Sequence, residues 1–469
     1  MLRSLESFPA HTLTRKFMQI THHVARLSVG IAAALAITAC ADDAVTTALH
    51  PQGASFASAS SGTRGAFQFT PLSSSFACTV SGGDPVNPIS LPDGLTQTII
   101  ASEPQFADAI DMNTQNETGP QAGRYLYRPS EGSVSEVTVT DLQNLGPNST
   151  KRFAFRADWE SFDPIVWTPW GTILVGEETN AQSKPDPDYP NAKAGLVYEL
   201  IPSAADPSAL ERIVARPAIG SKAHEGMRFD NQGNLYSISE RNPGYIFKFT
   251  PDKKGDLSSG QLYVLKITSP TGDRTGEAEW IPLDRDAVKI DASAAADAAG
   301  ATGYNRPEDV ELATSTGNTH GSPNTLFVAI TGLAAPADNR ILAIDLREPA
   351  GGSSHSTAFV YDYVKVGLNT TADFSMPDNL ALDPAGNLFI AEDPGGSFAT
   401  KRNGDDIWVA RPGNGPHSSA VSVERFGSLT DCDAEPTGLY WEKGGDRLFV
   451  NVQHRGGDHL DKAVAISQR

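Results

Sequence analysis

A short hairpin pattern recurs along most of this chain, and it constrains the fold more than any other feature. One copy reads Gly171-Thr-Ile-Leu-Val-Gly-Glu-Glu178: a turn residue, a run of β-formers, then a polar group. It returns as Gly233-Asn-Leu-Tyr-Ser-Ile-Ser-Glu240, Asn324-Thr-Leu-Phe-Val-Ala-Ile-Thr331, Gly386-Asn-Leu-Phe-Ile-Ala-Glu-Asp393 and Asp446-Arg-Leu-Phe-Val-Asn-Val-Gln453. Gly123-Arg-Tyr-Leu-Tyr127 is a weaker copy. Most copies lie roughly 50–60 residues apart, the scale of one four-stranded propeller blade. Each clear copy follows another short strand: Pro164-Ile-Val-Trp167, Gly226-Met-Arg-Phe229, Asp309-Val-Glu-Leu312, Asn379-Leu-Ala-Leu382 or Gly438-Leu-Tyr-Trp441. Turn signals such as Asp230-Asn-Gln-Gly233 and Asp383-Pro-Ala-Gly386 join the two. The pattern predicts an all-β chain without long helices, a six-bladed β-propeller whose blades each open with a hairpin. A seven-bladed ring with one diverged blade is the alternative. One longer interval holds the Ala- and Asp-rich stretch 284–302, expected as a surface insertion. Trp167, Trp170, Trp408 and Trp441 read as packing between blades.

The N-terminus reads as a targeting segment. Arg15, Lys16 and Arg26 precede an apolar run, Leu27 to Ala39, that is too short to span a bilayer and suits a signal peptide. The run ends in Ile37-Thr38-Ala39-Cys40, which resembles a lipobox, so residues 1–40 are expected to be a lipoprotein-type signal with Cys40 lipidated. Ordinary cleavage without lipid is the alternative, and Met18 is an alternative start. Residues 41–88, rich in Ser, Ala and Gly, are expected to be a flexible tether, and 89–469 the propeller. This predicts an exported monomer anchored through lipid, facing the periplasm or the cell surface. Cys78 and Cys432 are the cysteines left after Cys40, and in an exported chain they suggest one disulfide, with two free thiols as the alternative.

The net charge of −19 repels a phosphate backbone and argues against nucleic acid as a partner. Position separates plain solubility from cation binding. Asp163, Glu225, Glu308, Asp378 and Glu435 each sit at or just before a first strand. Glu177 and Glu178, Glu240, Thr331, Glu392 and Asp393, and Gln453 and His454 end the second strands. In a hairpin these two ends are neighbours, so the groups should converge around one axis. Carboxylates that close call for a hard cation, and Ca²⁺ accepts six to eight oxygens in loose geometry. Arg306 suits either a bidentate anion clamp or a salt bridge to a neighbouring acid. His224 and His454, beside ring positions, fit packed side chains better than ligands. The chain has no Gly-x-Ser-x-Gly elbow, P-loop, His-Glu-x-x-His or Cys-x-x-Cys, so the chemistry of those motifs is not expected.

Five blocks in order resemble the PhoX-type alkaline phosphatases. They are Thr168-Pro-Trp-Gly-Thr-Ile-Leu-Val-Gly-Glu-Glu-Thr179, Ala223-His-Glu-Gly226, Arg306-Pro-Glu308, Pro377-Asp-Asn-Leu380 with Gly386-Asn-Leu388, and Glu435-Pro-Thr-Gly438 with Leu448-Phe-Val-Asn-Val-Gln-His454. The resemblance implies a six-bladed propeller that hydrolyses phosphate esters with calcium and iron in its channel mouth. It implies Glu178, Glu225, Glu308 and Glu435 as metal ligands and Arg306 as the phosphate contact, with Asp378, Asn379 and Glu392 as further ligands. Gly176 stands where that family carries an iron-binding Cys. Calcium is therefore expected and iron is not, and the expected partner is a small phosphorylated substrate. Two other functions compete: a calcium-dependent, lactonase-like hydrolase, and a non-catalytic, calcium-stabilised surface-binding propeller.

Overall fold

The computed structural model describes residues 66–79, 81–313, 324–332, 338–347, 356–395, 399–454 and 460–469. The expected signal with Cys40, and the tether up to residue 65, lie outside these residues. No described helix is long and apolar enough to cross a membrane.

The described strands form five sheets built from antiparallel meanders, arranged in a ring as in a propeller. The first meander runs Thr114–Gln115, Tyr125–Pro129, Glu136–Asp141, Thr150–Phe155, and the next Phe162–Trp167, Ile173–Glu177, Val197–Pro202, Leu210–Ala215. A nine-stranded sheet then joins two meanders. One is His224–Phe229, Leu235–Ser239, Ile246–Lys253, Asp256–Gly272, and the other is Pro307–Ala313, Thr325–Ile330, Arg340–Arg347, Thr357–Lys365. Strand Thr275–Pro282 pairs with the outer strand of both. Pro377–Leu382, Leu388–Glu392, Asp406–Arg411 and Ser422–Leu429 follow, with Ile89–Ser90 added outside. The last meander, Glu435–Trp441, Arg447–Gln453, Lys462–Gln468, takes its outer strand, Leu95–Ser102, from the other end of the chain.

First strands of successive meanders pack side by side around the axis. The ring closes where Asn113 Nδ2 donates to Gly438 O at 2.6 Å and Thr437 Oγ1 donates to Ile110 O at 3.0 Å. Gly226 is required here, because a Cβ would collide with Asp309 of the next first strand. Most first and second strands are buried on both faces, which is why they read as near-continuous β-formers rather than alternating ones. The core lies between meanders. Tyr127 stacks on Trp167 at 6.0 Å, and Phe389 meets Trp441 edge-on at 5.2 Å.

One sequence boundary needs correction. The tether was expected to run to residue 88, yet the chain packs onto the ring from Ala66. Phe67 is buried against Trp441 at 4.6 Å, Phe69 meets Phe426 at 5.2 Å, and Leu72 N donates to Arg425 O at 3.0 Å. Two aromatics among many small polar residues suffice to dock the segment, and composition averages them away. Cys78 and Cys432 form a disulfide with Cα atoms 6.1 Å apart. The stretch expected as a surface insertion holds a helix, Ala287–Ala299. Its alanines favour a helix, and Val288, Ala292 and Ala296 bury a narrow face against Ile219 and Leu262.

Candidate metal and phosphate site

One backbone rule builds the site. In four meanders the residue after the second strand returns its N–H to the residue ahead of the first strand, and in the first meander the same closure flanks the Ile110–Ser130 bridge. Glu131 donates to Ala109 O at 2.7 Å, Glu178 to Ser161 O at 2.7 Å, Glu240 to Ala223 O at 3.1 Å, Thr331 to Arg306 O at 3.0 Å, and Asp393 to Met376 O at 2.9 Å. Two residues beyond those acceptors stand Asp111, Asp163, Glu225, Glu308 and Asp378. Each closure thus sets two functional positions at the same end of its meander. Ala109, Ser161, Arg306 and Met376 adopt left-handed φ values of 58°, 40°, 30° and 41°. Such strain costs of order 1 kcal/mol per residue and collects at functional sites. The register also slips just inside the first strands, between Phe162 and Ile165, Glu225 and Met227, Pro307 and Val310, and Pro377 and Leu380. Bulges of this kind re-aim side chains.

The result is a connected row of carboxylates. Asp111, Glu131 and Asp163 have ligand oxygens within 4.8 Å of one another, as do Asp163, Glu178 and Glu225, and again Glu225, Glu240 and Glu308. Asp163 and Glu225 are each shared between two groups. Two ionised carboxylates at that separation repel by roughly 3 kcal/mol even at an effective dielectric of about 20. Asp163, Glu225 and Glu308 are about 95 % buried, with relative exposures of 5, 4 and 4 %. Burial first, then the neighbouring carboxylates, pushes Asp163, Glu178, Glu225 and Glu308 well above the usual carboxylate range. Asp163 Oδ1 is buried without a hydrogen-bond partner. Closely spaced, hard oxygen donors with incomplete hydrogen bonding fit a divalent cation such as Ca²⁺.

A cation closes the row. Arg306 Nε lies 2.5 Å from Glu240 Oε1 and its Nη2 3.0 Å from Glu308 Oε1. Burial opposes its charge, but Glu308 and Glu240 outweigh burial and hold the guanidinium firmly protonated.

The raised carboxylates carry a pH prediction. A group with a folded pKa above its unfolded value binds extra protons in the folded state, so stability falls as pH rises from the ordinary carboxylate range through the raised one. The calcium-free protein should lose melting temperature as pH increases over that window, and the increment given by Ca²⁺ should grow over the same window. Thermal melts with chelator and with Ca²⁺ at stepped pH check this; parallel curves would contradict it.

The structure gathers Glu178, Glu225 and Glu308 into the row and pairs Arg306 with its last members. Asp378 acts electrostatically on Asp163, Glu308 and Arg306. Asn379 donates from Nδ2 to Asp378 Oδ1 at 2.9 Å and accepts from Gly438 N. Glu435 pairs across to Gln453, which puts Pro436 in the place that Asp163 and Glu308 occupy elsewhere. Glu392 is used inside its sheet, accepting from Ser375 N and Trp408 Nε1, each at 2.7 Å. Glu177 does likewise with Glu160 N at 3.1 Å and Leu196 N at 3.0 Å. His224 is buried with Nε2 3.0 Å from Gly220 O, and burial, then Lys222, drives its pKa well down. His454 is held between Asp431 (3.1 Å) and Asp461 (3.3 Å). A Cβ on Gly176 would meet His224 Cβ at 2.7 Å, so that position has no room for a side chain as the strands stand. The cysteines among the described residues are joined in the disulfide and offer no thiolate.

At the other end of the first strands lies a cavity of about 430 Å³ lined by Trp167, Arg228, Glu311 and Tyr440. Its polar groups bond across neighbouring meanders, Arg228 to Glu311 at 3.2 Å and Tyr440 to Glu117 at 2.9 Å. They tie the ring together at the end away from the row.

The described residues thus form a propeller-like ring carrying a carboxylate row with one arginine beside its last members. The family model of alkaline phosphatase PhoX matches residues 167–456, and the chain belongs to this family. Among solved structures, Pseudomonas fluorescens PhoX in complex with vanadate, a transition state analogue, is similar at 18 % identity and a TM-score of 0.59, covering 84 % of this chain and 98 % of its own. A putative gluconolactonase matches at 10 % identity and a TM-score of 0.43, covering 83 % and 98 %. A PQQ-bound aldose sugar dehydrogenase from Streptomyces coelicolor matches at 12 % and 0.44, covering 81 % and 100 %. No curated protein matches the sequence.

Proposed function

We propose that this chain is an exported phosphomonoesterase that works with Ca²⁺ held by the carboxylate row. The observation that carries the reading is the placing of Arg306 at the end of that row, beside Glu240 and Glu308. Alone, the row repels a phosphate ester. Asp163, Glu178 and Glu225, or Glu225 with Glu240 and Glu308, would hold Ca²⁺, which would offset part of the row's negative charge and supply a Lewis acid for a phosphoryl oxygen. Arg306 then binds phosphoryl oxygens through its planar fork, and its two carboxylate partners fix the plane of that fork. As charge builds on those oxygens during transfer, the pre-oriented guanidinium stabilises it without reorganising. The vanadate complex of the Pseudomonas relative supports a phosphoryl substrate. Oxygen-only donors and the filled space at Gly176 favour calcium without an iron–thiolate partner. The meanders count best as six blades, the nine-stranded sheet being two blades joined by one bridging strand. We place the protein as a monomer on a lipid anchor at Cys40, facing the periplasm or cell surface, with a small phosphate ester as substrate.

Arg306→Ala should lower kcat on p-nitrophenyl phosphate by about 10²–10³ and leave Ca²⁺ affinity unreduced, since it removes a cation from the row. Arg306→Lys should recover only part, because an ammonium lacks the fork. Turnover by Arg306→Ala within twofold of wild type would sink the assignment.

A further inference from the structure

The inserted helix is broken, and the break holds a piece of the site. Asp291 has extended backbone angles, φ −161° and ψ 92°, inside Ala287–Ala299. In a continuous helix the carbonyl of Val288 would accept from the N–H of Ala292. Here Ser221 enters that gap. Ser221 N donates to Val288 O at 2.8 Å, and Ala292 N donates to Ser221 O at 2.8 Å. The helix resumes directly, with Ala294 N capped by Asp291 Oδ1 at 2.8 Å. The ladder has been opened for one residue of another segment and closed again around it.

That residue sits behind the row on two sides. Along the chain, Ser221 leads through Lys222 to Ala223, whose carbonyl takes the Glu240 N–H, and then to Glu225. Across the chain, Ser221 Oγ donates to Ala194 O at 2.9 Å and accepts from Ala194 N at 3.0 Å. Lys222 N donates to Gly195 O at 3.0 Å, and Gly195 N donates to Thr179 O at 2.9 Å, next to Glu178. Farther along the helix, Asp297 Oδ2 lies 3.2 Å from Arg241 Nη2, and Arg241 directly follows Glu240. The segments beside Glu178 and Glu225 are thus linked to this inserted element through Ser221 and Lys222, and the segment beside Glu240 through the Arg241 side chain.

We infer that the broken helix is a clamp for the carboxylate row, with Ser221 as its positioning residue. It holds Glu178, Glu225 and Glu240, members of the two adjoining carboxylate groups, in place against a mutual repulsion that would spread them. The inference rests on the metal reading above. Groups that orient metal ligands, without touching the metal, typically set affinity by tenfold or more.

The test is calorimetric Ca²⁺ titration of the mature chain, with thermal melts in chelator and in Ca²⁺. Ser221→Ala nearly preserves volume and removes the hydroxyl link to Ala194. It should weaken Ca²⁺ binding about tenfold and shrink the rise in melting temperature that Ca²⁺ gives. Asp297→Ala lies on the exposed side, releases Arg241 and should shift Ca²⁺ affinity in the same direction even if Ser221→Ala folds poorly. A variant that loses equal stability with and without Ca²⁺, at unchanged affinity, would show a merely structural role and overturn the clamp alone. A folded wild-type chain that binds no Ca²⁺ would overturn the metal reading along with it.

Discussion

Glu225→Gln is expected to abolish Ca²⁺ binding and cut phosphate-ester turnover by about a thousandfold or more, while making the calcium-free protein more stable. Glu225 is the carboxylate shared by the two groups that run from Asp163 to Glu308. It is buried, and Asp163, Glu178, Glu308 and Glu240 all disfavour its charge. Without a cation, its ionisation is resisted from every side. An amide keeps the shape and cannot ionise, so the calcium-free form should gain about 1.4 kcal/mol for each pH unit by which the working pH exceeds the ordinary carboxylate pKa, up to the raised one. With Ca²⁺ present the order should reverse, because the wild type gains binding energy that the variant cannot. Melts of both proteins in chelator and in Ca²⁺, alongside turnover, read the crossing directly. A variant less stable than wild type in chelator would mean that Glu225 is satisfied by ordinary structural partners, and the row would lose its functional meaning.

Removing the Cys78–Cys432 bridge should cost about 3–5 kcal/mol. The bridge spans 354 residues, and loops of such length lose much entropy when closed in the unfolded chain. The two ends of the ring also meet through strand pairing, Leu95–Ser102 with Lys462–Gln468 and Ile89–Ser90 with Ser428 and Leu429. Those pairs vanish on unfolding and so cannot replace the covalent constraint. Urea unfolding of the Cys78→Ser, Cys432→Ser double variant, with Ca²⁺ fixed, measures the difference. A loss below about 1 kcal/mol would show that the paired strands alone close the ring.

Much of the site could be read from hairpin geometry alone. Strand starts and strand ends must meet, so Asp163, Glu225, Glu308 and Glu240 were bound to gather wherever the repeat held. The repeat did not mark Asp111 and Glu131, because the first strand of their meander is only Thr114–Gln115 and leaves too short a pattern. Paired acids were ambiguous for another reason. Successive strand residues face opposite sides, so of Glu177 and Glu178 one turns inward to Glu160 N and Leu196 N while the other joins the row. Glu392 falls on the inward side like Glu177, which its sequence setting does not reveal. Glu435 resembled the other first-strand acids, but its pairing with Gln453 shifts it by one place. The packing of Phe67 and the entry of Ser221 into a helix depend on contacts far apart in the chain, and no local pattern encodes them.

Whether the row is a calcium site for phosphate-ester hydrolysis is read from turnover of p-nitrophenyl phosphate by the mature chain from Ala41 onward, after full chelation and again after Ca²⁺ is restored. Turnover should disappear with chelator and return with Ca²⁺ alone, without added iron. Folded protein that stays inactive under Ca²⁺, or that turns over equally well without it, would mean that this carboxylate row is not a calcium site for phosphate-ester hydrolysis.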